Sequence, residues 1–138
     1  MIDQSCPLCR RETEDVLWQD GHCRILMTPQ QGYPGFCRVV WHDHVREMTD
    51  LSASQRSHLM SVVWAVEATL RELLQLTKIN LASLGNQVPH LHWHVIARFT
   101  DDAHFPDAIW AVQKRPGIEH QINREELIQV LQQRLSDV

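Results

Sequence analysis

Three histidines alternate with apolar residues in His90-Leu91-His92-Trp93-His94, and two cysteines form a C-x-x-C in Cys6-Pro7-Leu8-Cys9. Imidazole and thiolate suit two kinds of chemistry. They hold transition metals, and near neutral pH they attack electrophiles and carry protons. A row of imidazoles on one strand face could bind a metal as neutral ligands. It could equally supply a nucleophile whose neighbours fix its tautomer and serve the leaving group. Residue types alone leave both readings open. The C-x-x-C narrows more easily. A thioredoxin-like redox motif would follow a strand and open a helix. Only five residues precede Cys6, so half of a zinc site is the better reading. Cys23 and Cys37 lie in strand-like runs and read as buried free thiols.

These side chains need elements to hold them. Along residues 90–99, strand alternation points His90, His92, His94, Ile96 and Arg98 one way and Leu91, Trp93, Val95, Ala97 and Phe99 the other. The second set is apolar and should pack on a core. On the first set, neighbouring imidazoles stand about 6.5–7 Å apart, twice the strand rise. The rings can share one small group while each keeps its own surroundings. Upstream, residues 16–20 and 22–28 read as a hairpin around Gly21, residues 29–35 as a loop, and residues 36–41 as a third strand. Ser52 with Gln55 forms a capping box. It opens a helix whose stripe of Leu59, Val62, Val63, Val66, Leu70, Leu73 and Leu74 runs to about Leu76. Residues 79–84 read as a fourth strand and Gly85-Asn86 as a turn. Residues 100–120 read as loop, and a last helix capped by Asn123 carries Leu127, Val130, Leu131 and Leu135. Strands in runs broken by one long helix predict an α+β domain with an antiparallel sheet.

The chain has 138 residues and weighs 16.1 kDa, the size of one domain able to bury a core without disulfides. With 13 Lys and Arg against 17 Asp and Glu, the net charge is −4, and no basic block is present. That disfavours nucleic-acid polymers as partners. Residues 1–4 carry neither a basic nor an apolar leader region, and no apolar run is long enough to span a bilayer. No membrane association and a cytoplasmic location are expected.

The segment Val88-Pro89-His90-Leu91-His92-Trp93-His94-Val95-Ile96 resembles the His-φ-His-φ-His-φ-φ signature of the histidine triad (HIT) family, where φ is apolar. Phe36–Val45, the helix from Ser52 and the strand from Ile79 into Gly85-Asn86-Gln87 fall in the family's order. The resemblance covers about residues 6–99, leaving 100–138 as a C-terminal tail and helix of a single domain over 1–138. It implies a HIT fold, a five-stranded antiparallel sheet with one long helix and a C-terminal helix. It also implies a nucleotidyl hydrolase or transferase acting at the α-phosphate of a dinucleoside polyphosphate or nucleoside phosphoramidate, through a covalent nucleotidyl-histidine. By that resemblance His92 is the nucleophile, and His94 lies beside the phosphate. Gly85, Asn86 and Gln87 form the phosphate loop, with Gln87 in place of the usual Ser or Thr, and Asn80 is a further substrate contact. Zinc-bearing branches of the family match a structural zinc site at Cys6, Cys9, His44 and His90, with His42 as a competing ligand. No organic cofactor is implied, and a homodimer is.

One departure concerns the ribose. The family's acidic ribose-binding residue falls here at Thr28. A nucleotide-binding module with little or no catalysis is therefore the alternative reading. Trp64 and Trp93 read as core or dimer contacts, Trp110 and Phe105 as possible pocket walls, and Asp101-Asp102 as a solvated turn. His22, His58, His104 and His120 have no chemical neighbours in the sequence.

Overall fold

A computed structural model describes residues 2–138; Met1 lies outside the described residues. In chain order the elements are α1 (Pro7–Arg10), β1 (Val16–Gln19), β2 (Cys23–Met27), β3 (Cys37–Trp41), a 3-10 turn (Met48–Asp50), α2 (Ala53–Leu73), β4 (Lys78–Ala82), β5 (His92–Arg98) and α3 (Arg124–Arg134). The strands form one sheet in the order β1-β2-β3-β5-β4, with every neighbouring pair antiparallel. This is the α+β architecture expected of the HIT fold. The histidine strand thus lies inside the sheet, between β3 and β4, where pairing on both sides fixes its register.

The two sheet faces are buried by different means. On one face, Leu59, Val62, Val63, Val66 and Leu70 of α2 pack with Val39, Val95 and Ala97 of the sheet and with Leu127 and Leu131 of α3. The predicted stripe is therefore the main core contact. The Ser52–Gln55 capping box forms in both directions, with Ser52 Oγ accepting from Gln55 N at 3.2 Å and Ser52 N donating to Gln55 Oε1 at 2.8 Å. Asn123 Oδ1 accepts from Glu126 N at 3.0 Å and caps α3. The helix α2 ends at Leu73, three residues short of the expected end. Leu74 there turns to extended backbone, and its side chain still reaches the core.

The opposite face carries the histidines and is covered by two small apolar clusters. Cys6, Leu8 and Cys9 around α1 pack on Leu26 and Val40, while Tyr33, Phe36 and Ile109 pack on Ile96. The helix α1 is one turn long, too short to leave a periodic signature in the sequence. Residues 100–120 form no helix or strand, as expected. Asp102, however, is no solvated turn residue. It is 1% exposed, and its carboxylate takes Arg98 Nε at 2.8 Å and Nη2 at 3.0 Å. It also accepts from the backbone N–H groups of Phe99, His104 and Phe105 and from the Tyr33 hydroxyl. These hydrogen bonds outweigh its burial and hold its pKa well below the usual carboxylate range.

Asp102→Asn leaves Arg98 as an unpaired buried cation and should cost about 3–5 kcal/mol at pH 7 in urea unfolding. The carboxylate's folded pKa is depressed, so its contribution is present above the unfolded value near 4 and is lost as pH falls through the folded value. The gap between wild type and variant should stay constant from pH 7 to about 5 and shrink below about 4. A difference under about 1 kcal/mol at pH 7 would remove Asp102 from the fold's support.

Candidate functional site

Cys6 caps the start of α1 and Cys9 sits within it, so one helical turn brings both thiols to the same side. His90 lies two positions before the first residue of β5, and His44 three positions after the last of β3. These four side chains converge. Cys6 Sγ lies 3.4 Å from His90 Nδ1, Cys9 Sγ lies 3.5 Å from His90 Nδ1, and Cys9 Sγ lies 3.3 Å from His44 Nδ1. All four donor atoms fall within 4.8 Å of one another. Tetrahedral zinc with ordinary Zn–S and Zn–N bonds would place S and N about 3.6 Å apart, so the quartet has the dimensions of a closed four-ligand site.

The ring of His90 is prepared for that use. Its Nε2 lies 2.6 Å from the Trp41 carbonyl oxygen, which can only accept, so Nε2 carries the proton and Nδ1 presents a lone pair to the sulfurs. Burial lowers the His90 pKa and favours this neutral form. His42 is committed elsewhere. Its Nε2 donates to the Asp20 carbonyl at 2.8 Å, and its Nδ1 accepts from Arg24 Nη1 at 3.2 Å. It is outside the quartet, whereas His44 belongs to it.

The middle histidine faces a different space. His92 and His94, with Arg38 from β3, Leu84 to Val88 from the loop after β4, Pro7 and Leu8 from α1, and Trp110, enclose a cleft of about 320 Å³. His92 Nδ1 lies 2.6 Å from the His90 carbonyl oxygen. By the same argument Nδ1 is protonated, and Nε2 holds the lone pair. Burial lowers the His92 pKa, keeping the ring neutral. The His94 ring lies 4.9 Å from that of His92, centroid to centroid, and its pKa drops to about 4 through burial, then through His92 and Arg38. Phe36 and Trp110 meet His94 edge-on at 5.6 and 5.2 Å. Gly85 turns the loop with φ +73°, a left-handed conformation that favours glycine.

The structure therefore gathers His92, His94, Gly85, Asn86 and Gln87 into one cleft and places Cys6, Cys9, His44 and His90 beside it. His90 belongs to the quartet through its ring, and its carbonyl holds the Nδ1 of the cleft residue His92. Asn80 is not among the cleft-lining residues. Its Oδ1 accepts from Arg98 Nη1 at 2.7 Å. Phe105 lies under the Arg98 guanidinium at 5.7 Å, while Trp110 does line the cleft. Arg38 escaped the sequence reading, because only the pairing of β3 with β5 sets it opposite His94.

The histidines without chemical neighbours in the sequence also have partners in space. His58 Nε2 lies 2.6 Å from Asp20 Oδ2, His120 Nε2 lies 2.9 Å from Asp101 Oδ1, and His104 Nδ1 lies 2.5 Å from the Tyr33 hydroxyl. His22 stacks on Trp41 at 5.7 Å. Asp20, Cys23 and His58 also come within 4.8 Å of one another. The Asp20 carboxylate there already accepts from the N–H groups of His22 and Cys23 and contacts His58, which accounts for the trio as a hydrogen-bonded turn.

Cys23 and Cys37 are fully buried, and burial pushes both thiols up to about 12. At pH 8 their thiolate fraction is about one in ten thousand. Ellman's reagent should leave both unreacted in the native protein and titrate them on denaturation. Rapid reaction of all four thiols in the native state would contradict this burial.

The HIT domain profile matches residues 10–101. A histidine triad protein from Bradyrhizobium japonicum is 27% identical, with 98% of this chain and 97% of that one covered and a TM-score of 0.73. A histidine triad protein from Marinobacter aquaeolei VT8 is 28% identical over 89% of both chains, with a TM-score of 0.69. A zinc-bound histidine triad family protein from Mycobacterium smegmatis shares the fold at 20% identity, covering 96% and 94% of the two chains with a TM-score of 0.64. None of the curated proteins compared with the chain matches it. With His92 and His94 in an interior strand of a five-stranded antiparallel sheet, His90 just before it, and the profile matching most of its length, the chain belongs to the HIT domain family.

Proposed function

We propose that this protein hydrolyses or transfers nucleotidyl groups through a covalent intermediate on His92. HIT proteins are in general nucleotide hydrolases or transferases. The observation that carries the reading to this chain is the 2.6 Å bond from His92 Nδ1 to the His90 carbonyl, which makes Nε2 the lone-pair nitrogen of a neutral ring lining the cleft. In the first step Nε2 bonds to the α-phosphorus. The bond from phosphorus to the leaving oxygen or nitrogen breaks, and its electron pair goes to the leaving group, which takes up a proton. In the second step water or another acceptor bonds to phosphorus and gives up its O–H proton to solvent, the P–N bond breaks, and its electron pair returns to Nε2 of the imidazole, which keeps its Nδ1 proton. Gly85, Asn86 and Gln87 border the phosphate, and His94 stands beside it as a neutral hydrogen-bonding ring at pH 7. Dinucleoside polyphosphates and nucleoside phosphoramidates are the substrate classes.

In the same reading the quartet of Cys6, Cys9, His44 and His90 holds structural zinc. The Cys₂His₂ donor set and its spacing suit that metal, and one relative of the same fold is zinc-bound. Bound there, zinc ties the N-terminal turn to the start of β5; all chemistry at phosphorus is left to the cleft. No helix among the described residues is long and apolar enough to cross a membrane. A homodimer also belongs to this reading. Trp64, 58% exposed on α2, and Leu81 on the edge strand β4 offer apolar surface to a second copy. Light scattering should give twice the chain mass, and a monomer at micromolar concentration would remove the dimer.

The test is product release from a panel of dinucleoside polyphosphates and nucleoside phosphoramidates by the zinc-loaded protein. Nucleoside monophosphate should appear, and His92→Gly should release none. Turnover retained in His92→Gly and abolished by a chelator would instead indicate a metal hydrolase. Nucleotide binding with no turnover on any of the panel would indicate the binding module.

A further inference from the structure

Three arginines, Arg24, Arg38 and Arg98, point to the sheet face that carries the triad. Two are fully paired. Arg24 meets Glu14 through Nε at 2.9 Å and Nη2 at 2.7 Å, and Nη2 also donates to the Leu8 carbonyl at 2.7 Å. Arg98 is held by Asp102 and Asn80. Arg38 differs: no carboxylate of the described residues pairs with it, and it is the one charged side chain lining the cleft. Its Nε is buried without a hydrogen-bond partner. The only other such buried side-chain atom among the described residues is Nδ1 of His94, and Arg38 and His94 are cross-strand partners on β3 and β5. Cross-strand partners stand about 4.5–5.5 Å apart at Cβ, so one ligand group can reach both.

Arg38 as a whole is half-buried, but its Nε is shut off from solvent without a partner, and a guanidinium partly desolvated without a counter-charge carries a cost that is met when a ligand supplies the charge. Guanidinium favours phosphate, through forked hydrogen bonds. No carboxylate lines the cleft, so Arg38 leaves its local charge positive.

We infer that Arg38 and His94 Nδ1 form a second anion subsite beside the phosphate attacked by His92, so that this protein selects substrates with a second phosphate, the polyphosphate class, over phosphoramidates of neutral or cationic amines. This rests on the reading of His92 as the attacking group, but its binding test does not.

The test is calorimetric titration of the full-length, zinc-loaded protein with adenosine and guanosine mono- and diphosphates, for wild type, Arg38→Gln, Arg38→Met and Arg38→Lys. The wild type should bind a diphosphate at least about tenfold more tightly than the matching monophosphate, the size of one charge-assisted contact. In the Gln and Met variants that ratio should fall to near one, and the Lys variant should keep part of it. Two neutral replacements of different polarity, each with its thermal midpoint measured, separate loss of charge from loss of folding. A wild-type ratio near one, or a ratio unchanged in both neutral variants, overturns the inference. Equal loss of mono- and diphosphate affinity also overturns it, because Arg38 would then hold the attacked phosphate itself. A diphosphate preference that depends on Arg38, in a protein that forms no adduct on His92, would keep the subsite and discard the catalytic reading. An adduct without that preference would do the reverse.

Discussion

His92→Ala should lower turnover by at least about 10⁴-fold, because it removes the group that bonds to phosphorus and no other ring can replace it. His90 turns its one free nitrogen toward Cys6 and Cys9. His94 lacks the backbone carbonyl contact that fixes the His92 tautomer, and its Nδ1 has no partner among the described residues. His94→Ala should therefore have a smaller effect, about 10²–10⁴-fold, the range for a group that assists without forming the bond. Steady-state rates on a polyphosphate and a phosphoramidate substrate check the order. A His94 variant more damaged than the His92 variant would reassign the nucleophile.

Cys9→Ser should release zinc and destabilise the fold by more than about 4 kcal/mol, since binding free energy at a closed metal site is folding free energy. Cys9 touches both histidines of the quartet, so its loss opens two of the three observed sulfur–nitrogen contacts. The effect should reach the cleft as well. The His90 ring belongs to the quartet, and the His90 carbonyl holds His92 Nδ1. Loosening the first frees the second, and turnover should fall about 10–100-fold, as for other groups that orient a site from behind. Metal analysis, thermal unfolding and rates on the same samples test this together. Protein isolated without stoichiometric zinc, and unchanged in midpoint after chelation, would contradict the structural role.

The parts of the molecule with a strict period were legible from the chain. Alternation along residues 90–99 separates the cleft face from the core face, and the 3-and-4 spacing of Leu59 to Leu70 marks the side of α2 that meets the sheet. Both are local consequences of backbone geometry. The rest depends on which strands become neighbours, and spacing does not encode that. Arg38 reads as an ordinary strand residue until β3 pairs with β5 and sets it against His94. Asp102 reads as half of a polar turn until Arg98, four residues back on β5, and Tyr33, far along the chain, close on it. Its burial contradicts composition-based expectation because the carboxylate is fully compensated. Asn80, expected at the substrate, is tied to Arg98 by the pairing of β4 with β5. The resemblance already favours His44 over His42 for the quartet, and the third dimension adds the physical reason: Arg24 and the Asp20 carbonyl occupy both nitrogens of His42.

The central claim is a bond from His92 to phosphorus, and mass spectrometry of the intact protein, quenched in acid-free denaturant during turnover of a dinucleoside polyphosphate, tests it most directly. The expected result is wild-type protein heavier by one nucleotidyl group, the added mass located by peptide mapping to the segment containing His92 and absent in His92→Gly. Turnover with no added mass at any quench time, or an adduct located on a residue other than His92, would contradict it.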